Sequence, residues 1–204
     1  MITAGEIELP EQSTTSGISL RGRTVPGYIA VEGPIGVGKT TLARRIADTF
    51  DYDLLLEEAE LNPFLERFYQ NRQQTALATQ LFFLFQRVQK ITELKQRDMF
   101  DQARVADFVL EKDPLFARVN LEPDEFALYE KVFSKMRVDA PVPDLVIYLQ
   151  ASPDRLMERI DRRGIDAERL IDRQYLEQLN EVYSEFFLYY LSLIHISEPT
   201  RPRI

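Results

Sequence analysis

The run Gly33-Pro34-Ile35-Gly36-Val37-Gly38-Lys39-Thr40 constrains this chain more than any other feature, because it fits the phosphate-cradling pattern G-x-x-x-x-G-K-[ST] at every fixed position. Its flanks fit too. Tyr28-Ile29-Ala30-Val31-Glu32 is apolar and β-branched and reads as a strand, while Thr41-Leu42-Ala43-Arg44-Arg45-Ile46-Ala47 has helical spacing. Between strand and helix, glycines let the backbone approach an anion, amides at the helix N-terminus point at it, and a lysine reaches the terminal phosphates. Gly33 through Thr41 then line the phosphates of a nucleotide, with Lys39 as the cation and the Thr40 hydroxyl on Mg²⁺. At ordinary residue frequencies such a match starts by chance at roughly 4 positions in 100,000, so an accidental glycine turn is a poor account of it.

With 204 residues, 45% of them hydrophobic, the chain suits one domain around one core. A formal net charge of -8 and no long basic run argue against a nucleic-acid partner, since phosphate backbones demand clustered Lys and Arg. No cysteine is present, which excludes disulfides and thiolate metal sites and suits a reducing cytoplasm. Residues 1–26 hold Glu6, Glu8 and Glu11 among Ser, Thr, Gly and Pro, lack an apolar signal core, and read as a flexible extension. Phe186 to Ile196 is apolar over about 11 residues, where roughly 20 are needed to span a bilayer, so core or interface packing is expected and no membrane.

Further strands are expected over 53–56, 104–109 and 145–149. Helices are expected over 63–69, with Asn62-Pro63 as cap and first position, over 75–97, across most of 114–138, from Ser152-Pro153 to 162 before Gly164, and over 173–190. Strands alternating with helices imply an α/β domain with a parallel sheet. In the 75–97 helix, Leu77, Leu81, Leu84, Phe85, Val88 and Ile91 form a stripe wider than one core face requires, which suggests a helical partner or a second subunit.

After the glycine loop come Leu56-Glu57-Glu58-Ala59-Glu60-Leu61-Asn62-Pro63-Phe64-Leu65, then Phe68-Tyr69, Thr79-Gln80-Leu81 and Phe85-Gln86-Arg87. In this order and spacing they resemble the deoxynucleoside kinases, above all the bacterial deoxyadenosine and deoxyguanosine kinases, over about residues 28–190. The resemblance implies a three-layer P-loop NTPase fold, with a doubly wound parallel sheet, helices on both faces and an arginine-rich lid, in a kinase domain spanning 27–190. It also implies ATP-dependent phosphorylation of the 5′-hydroxyl of a deoxynucleoside in nucleotide salvage, with Mg²⁺ and as a homodimer. Deoxyadenosine and deoxyguanosine are the first expected acceptors, deoxycytidine the next.

Residue by residue, the resemblance makes Glu57 the carboxylate that takes the 5′-hydroxyl proton, with Glu58 its local rival. A carboxylate just past a strand reaches the crevice outside the sheet's carboxyl edge, although a solvated loop acid would look the same. Gln80 and Arg87 match base-reading positions, and seven residues on one helix set them about 10 Å apart along the axis on one face. An amide offers a donor and an acceptor together to a base edge, and Arg87 with Asp113 would hold a second edge. Asp113 before Pro114 reads equally well as a helix cap. Tyr69 and Glu168 match the pair that shares the sugar 3′-hydroxyl, though Tyr69 would also suit a core. Asp107 matches the acid that holds Mg²⁺ through water, but Phe108 stands where the family has an arginine. Arg159 and Arg163, four apart with Arg162 beside them, match the lid over ATP; a solvated charged face is the plain alternative. Ile165 replaces a further family arginine, for which Arg169 is the substitute.

Beyond Tyr190 the family continues into a fifth apolar strand and a loop on the adenine. Residues 191–204 resemble neither and look like translated sequencing-adapter sequence, so a non-family tail is expected there and the final edge strand is expected to be missing. His195, the single histidine, then has no catalytic role. Two other readings stay open. A thymidylate-kinase-like monophosphate kinase shares loop and lid but binds an acceptor phosphate that Glu57 would repel. A non-catalytic ATP-binding module is the other, and Phe108 favours it.

Overall fold

A computed structural model describes residues 18–20, 23–97, 103–136 and 140–190 of the chain. Strands β1 (Ile18–Leu20) and β2 (Arg23–Val25) pair antiparallel, within the segment read as an extension. Four more strands, β3 (Tyr28–Glu32), β4 (Asp53–Leu55), β5 (Arg104–Ala106) and β6 (Leu145–Tyr148), form a sheet of order β4-β5-β3-β6, parallel throughout. Central β3 pairs Ile29 with Val105 on one side and Ala30 with Val146 on the other.

Seven α-helices are described: α1 (Lys39–Phe50), α2 (Leu65–Gln70), α3 (Arg72–Arg97), α4 (Asp113–Asn120), α5 (Pro123–Met136), α6 (Pro153–Arg163) and α7 (Arg173–Tyr190). Side chains alternate across a strand, so β3 feeds both layers. Ile29 and Val31 pack with Ala43 and Ala47 of α1, whereas Ala30 packs with Tyr183 and Phe187 of α7. Tyr148 stacks on Phe187 with ring centroids 4.3 Å apart, joining α7 to β6. The chain turns from β3 toward β4 but crosses from β5 to β6 on the other side of β3, and such a reversal opens a crevice at the carboxyl ends of β3 and β5.

Where the observed elements depart from expectation, side chains account for it. β5 stops at Ala106 because the Val109 amide donates to Glu32 Oε1 (2.8 Å) and Asp107 Oδ1 accepts from the Glu57 amide (2.7 Å), so the ladder gives way to a loop. The helix expected from Pro63 begins at Leu65, since Asn62 Oδ1 accepts from Phe64 (3.0 Å) while its Nδ2 donates to the Thr79 carbonyl (3.2 Å). Residues 114–138 divide into α4 and α5 at extended Leu121. α6 is bounded as expected: Ser152 accepts from the Arg155 amide and Gly164 closes the helix at φ +71°. Most of the wide stripe of α3 is used within the chain, against α2, α4 and α5, while Phe85 stays half exposed. Among the described residues no helix is long and apolar enough to cross a membrane. The expectations for 191–204 lie outside the described residues.

Candidate active site

β3 ends at Glu32, a fully buried acid ahead of the glycine loop. Glu32 Oε2 accepts from the Gly33 amide at 3.0 Å, which fixes how the loop leaves the strand. Gly33 has φ +148°, and a Cβ there would meet the Leu149 carbonyl oxygen at 2.4 Å, so only glycine fits. Gly36 (φ +79°) lies under α6, where a Cβ would come within 2.9 Å of Ile160 Cγ1. Lys39 Nζ donates to the carbonyls of Gly33 (2.8 Å) and Pro34 (3.2 Å). Burial pulls the Lys39 ammonium below its ordinary pKa and Lys112 pulls it further, against Glu32, Glu57 and Asp107.

Asp107, just past β5, joins the phosphate loop to the exit of β4. The Thr40 hydroxyl donates to its Oδ2 at 2.6 Å, and its Oδ1 holds the Glu57 amide. Glu57 therefore points into a cluster with Arg87, Lys112 and Lys39. Burial would raise its carboxyl, but the charges of Arg87, Lys112 and Lys39 and the Arg87 hydrogen bond hold it down to about 2. Its neighbour Glu58 turns outward to Lys90 at 2.6 Å and is half exposed, so the two acids are told apart by direction.

On α3, Gln80 and Arg87 are both buried, at 3% and 4% exposure. Arg87 pairs with Glu57 and with Asp113, and these two acids, Asp113 first, raise its pKa against burial. Asp113 is the first residue of α4 and fully buried, so its carboxylate serves Arg87 instead of capping the helix. Burial pushes Asp113 up to about 6, opposed by Arg87. Arg87 Nε, Asp113 Oδ2 and the Tyr129 hydroxyl are buried without a hydrogen-bond partner among the described residues. Unpaired donors and acceptors gathered in one place are costly in an empty protein and useful to a polar ligand.

Tyr69 on α2 lies in the field of Glu168, Arg163 and Glu57; burial, then Tyr175 and Glu168, raises its phenol well above the ordinary value. Arg159 and Arg163, expected together over one substrate, divide. Arg159 Nη1 donates to the Val37 carbonyl of the loop at 2.7 Å, whereas Arg163 pairs with Glu168, 7% exposed in the 3₁₀ turn Asp166–Leu170. Arg169 pairs with Asp166 at 3.5 Å on the surface and does not join this cluster. Phe108 is fully buried in the apolar core and brings no donor.

Sequence reasoning missed Lys112, Glu32 and Tyr129. Lys112 Nζ, in a residue only 1% exposed, lies 2.9 Å from Glu32 Oε1 and 3.8 Å from Glu57 Oε2. A lysine in Glu111-Lys112-Asp113 looks like any surface cation, and nothing local announces its burial. Glu32 carried a weak signal, as an acid closing an apolar strand.

A family model described as deoxynucleoside kinase matches residues 29–198. A deoxyguanosine kinase of Bacillus subtilis is 36% identical over 157 residues, covering 76% of each chain. A deoxyadenosine kinase of Dictyostelium discoideum is 32% identical over 166 residues, covering 78% of this chain and 66% of that one. The structure of a deoxyadenosine kinase from M. mycoides with bound dATP superposes with a TM-score of 0.71 at 30% identity, over 80% of this chain and 85% of its own.

Proposed function

From the premise that this chain belongs to the deoxynucleoside kinase family, we propose that it transfers the γ-phosphoryl group of ATP to the 5′-hydroxyl of a purine deoxynucleoside. One observation carries the reading: Asp107 takes the Thr40 hydroxyl on one carboxylate oxygen and the Glu57 amide on the other, so phosphate loop and acceptor acid share one crevice.

Gly33 to Thr41 hold the phosphates, with Lys39 exchanging its loop carbonyls for phosphate oxygens. Arg159, already on the loop backbone, meets charge spread over the transferring group. Thr40 and Asp107 fit Mg²⁺, being an oxygen-only pair too small for a protein cage, as suits an ion that keeps waters and phosphate oxygens. When bound, the ion neutralises charge on the phosphates. Glu57 orients the attacking hydroxyl and receives its proton, Gln80 with the Arg87–Asp113 pair reads the base, and Tyr69 with Glu168 holds the sugar 3′-hydroxyl. The relatives named as deoxyguanosine and deoxyadenosine kinases favour purines. A homodimer through the outer faces of α3 and α7, and a cytoplasmic setting suited to a chain without cysteine, complete the reading.

The test is product formation by the purified protein with Mg-ATP and a panel of deoxynucleosides and their monophosphates. Deoxynucleoside 5′-monophosphates are expected, and Glu57→Gln should lower kcat by about 10²- to 10⁴-fold, the range of a lost general base. Phosphorylation of monophosphates alone would overturn the proposal.

A further inference from the structure

Lys112 is the cation that the expected chemistry leaves unexplained. Its ammonium is almost wholly out of water, and a buried cation persists only where oxygens replace its hydration. Two acids do so: Glu32 at hydrogen-bond distance and Glu57 at 3.8 Å. Glu32 is otherwise well served, by the Gly33 and Val109 amides and the Tyr183 hydroxyl at 3.4 Å. Glu57 is gripped from three directions. Arg87 pairs with Oε1, Asp107 holds its backbone amide, and Lys112 lies 3.8 Å from Oε2. With Oε1 against Arg87, Oε2 is the oxygen with room for a hydroxyl.

We propose that Lys112 is a positioning residue for the transfer: its ammonium offsets Glu32 behind the phosphate loop and pins the Glu57 carboxylate with Oε2 facing the incoming hydroxyl. The proposal rests on the reading above, in which Glu57 serves the acceptor. Phe108, apolar and buried, supplies nothing of this kind, and the cation stands four residues further along.

Steady-state kinetics of Lys112→Met, Lys112→Arg and the pair Glu32→Gln/Lys112→Met, beside Glu32→Gln alone, provide the test. The pair removes both buried charges together, so it stays folded where Lys112→Met leaves Glu32 uncompensated, and thermal melting verifies this. With wild type active on a deoxynucleoside, Lys112→Met and the pair should each lose about 10²-fold in kcat with both KM values changed less than about threefold, as for an interaction made only in the transition state. Lys112→Arg should regain at least about tenfold of that loss. A kcat for the pair within about threefold of Glu32→Gln alone would overturn the proposal, since Lys112 would then only balance Glu32. A wild type that phosphorylates no deoxynucleoside would instead sink the functional reading itself.

Discussion

On the proposed reading Glu57 joins two demands that pull apart, because the cations that aim it also make it a weak base. Phosphoryl transfer tolerates this: its loose transition state asks for little proton removal until late, so orientation outweighs basicity. The same cations tie Glu57 to stability. Its folded pKa is depressed from 4.5 to about 2, so its contribution is present above about pH 4.5 and fades as pH falls toward about 2. Urea midpoints of wild type and Glu57→Gln should therefore draw together as pH falls from about 4.5 toward about 2, and a constant gap would show that Glu57 is not held in this way. Gln80 obeys the opposite logic. Its side chain, 3% exposed, is assigned by the proposed reading to the ligand and not to the fold, so Gln80→Leu should leave the melting temperature nearly unchanged. KM for the deoxynucleoside should rise by about tenfold or more in the same variant, the cost of losing a polar contact to the base.

Among the elements, α6 links the glycine loop to the turn that carries Glu168. Ile160 and Leu156 press on Gly36, Arg159 bonds the loop at Val37, and Arg163 at the far end holds Glu168. Gly36→Ala places a Cβ against Ile160 at a φ that L-residues avoid, which should cost about 1–2 kcal/mol in urea unfolding and weaken ATP binding in calorimetry. Unchanged ATP affinity would mean that α6 contact does not shape the loop. The ends of α6 were legible because Ser152 and Gly164 act on their own neighbourhood. The short β5 and the late start of α2 were not, because distant acceptors, Glu32 for Val109 and Thr79 for Asn62, decided them.

For the molecule as a whole, alternation of strand and helix was enough to foresee a parallel sheet covered on both faces, and β3 shows why: its odd and even residues each have a helix to meet. The α3 stripe was ambiguous in the same way that every amphipathic face is, since periodicity reports burial without naming the partner. Most of it packs inside the chain, while Phe85 at 49% and Leu188 at 72% exposure remain outward on α3 and α7. On the proposed dimer through these faces, light scattering at micromolar concentration should give twice the monomer mass, and Phe85→Glu with Leu188→Glu should return it to one; a wild-type monomer would remove the dimer. What the linear order of residues determined by itself was the glycine loop between strand and helix, the α/β class and the family, all local patterns whose physics acts within a few residues. Only the tertiary structure decided that Glu57 and not Glu58 faces Lys39, that Arg159 and Arg163 serve different groups, and that Lys112 is buried. Those outcomes depend on where distant charges meet out of water, and spacing along a chain carries no such information.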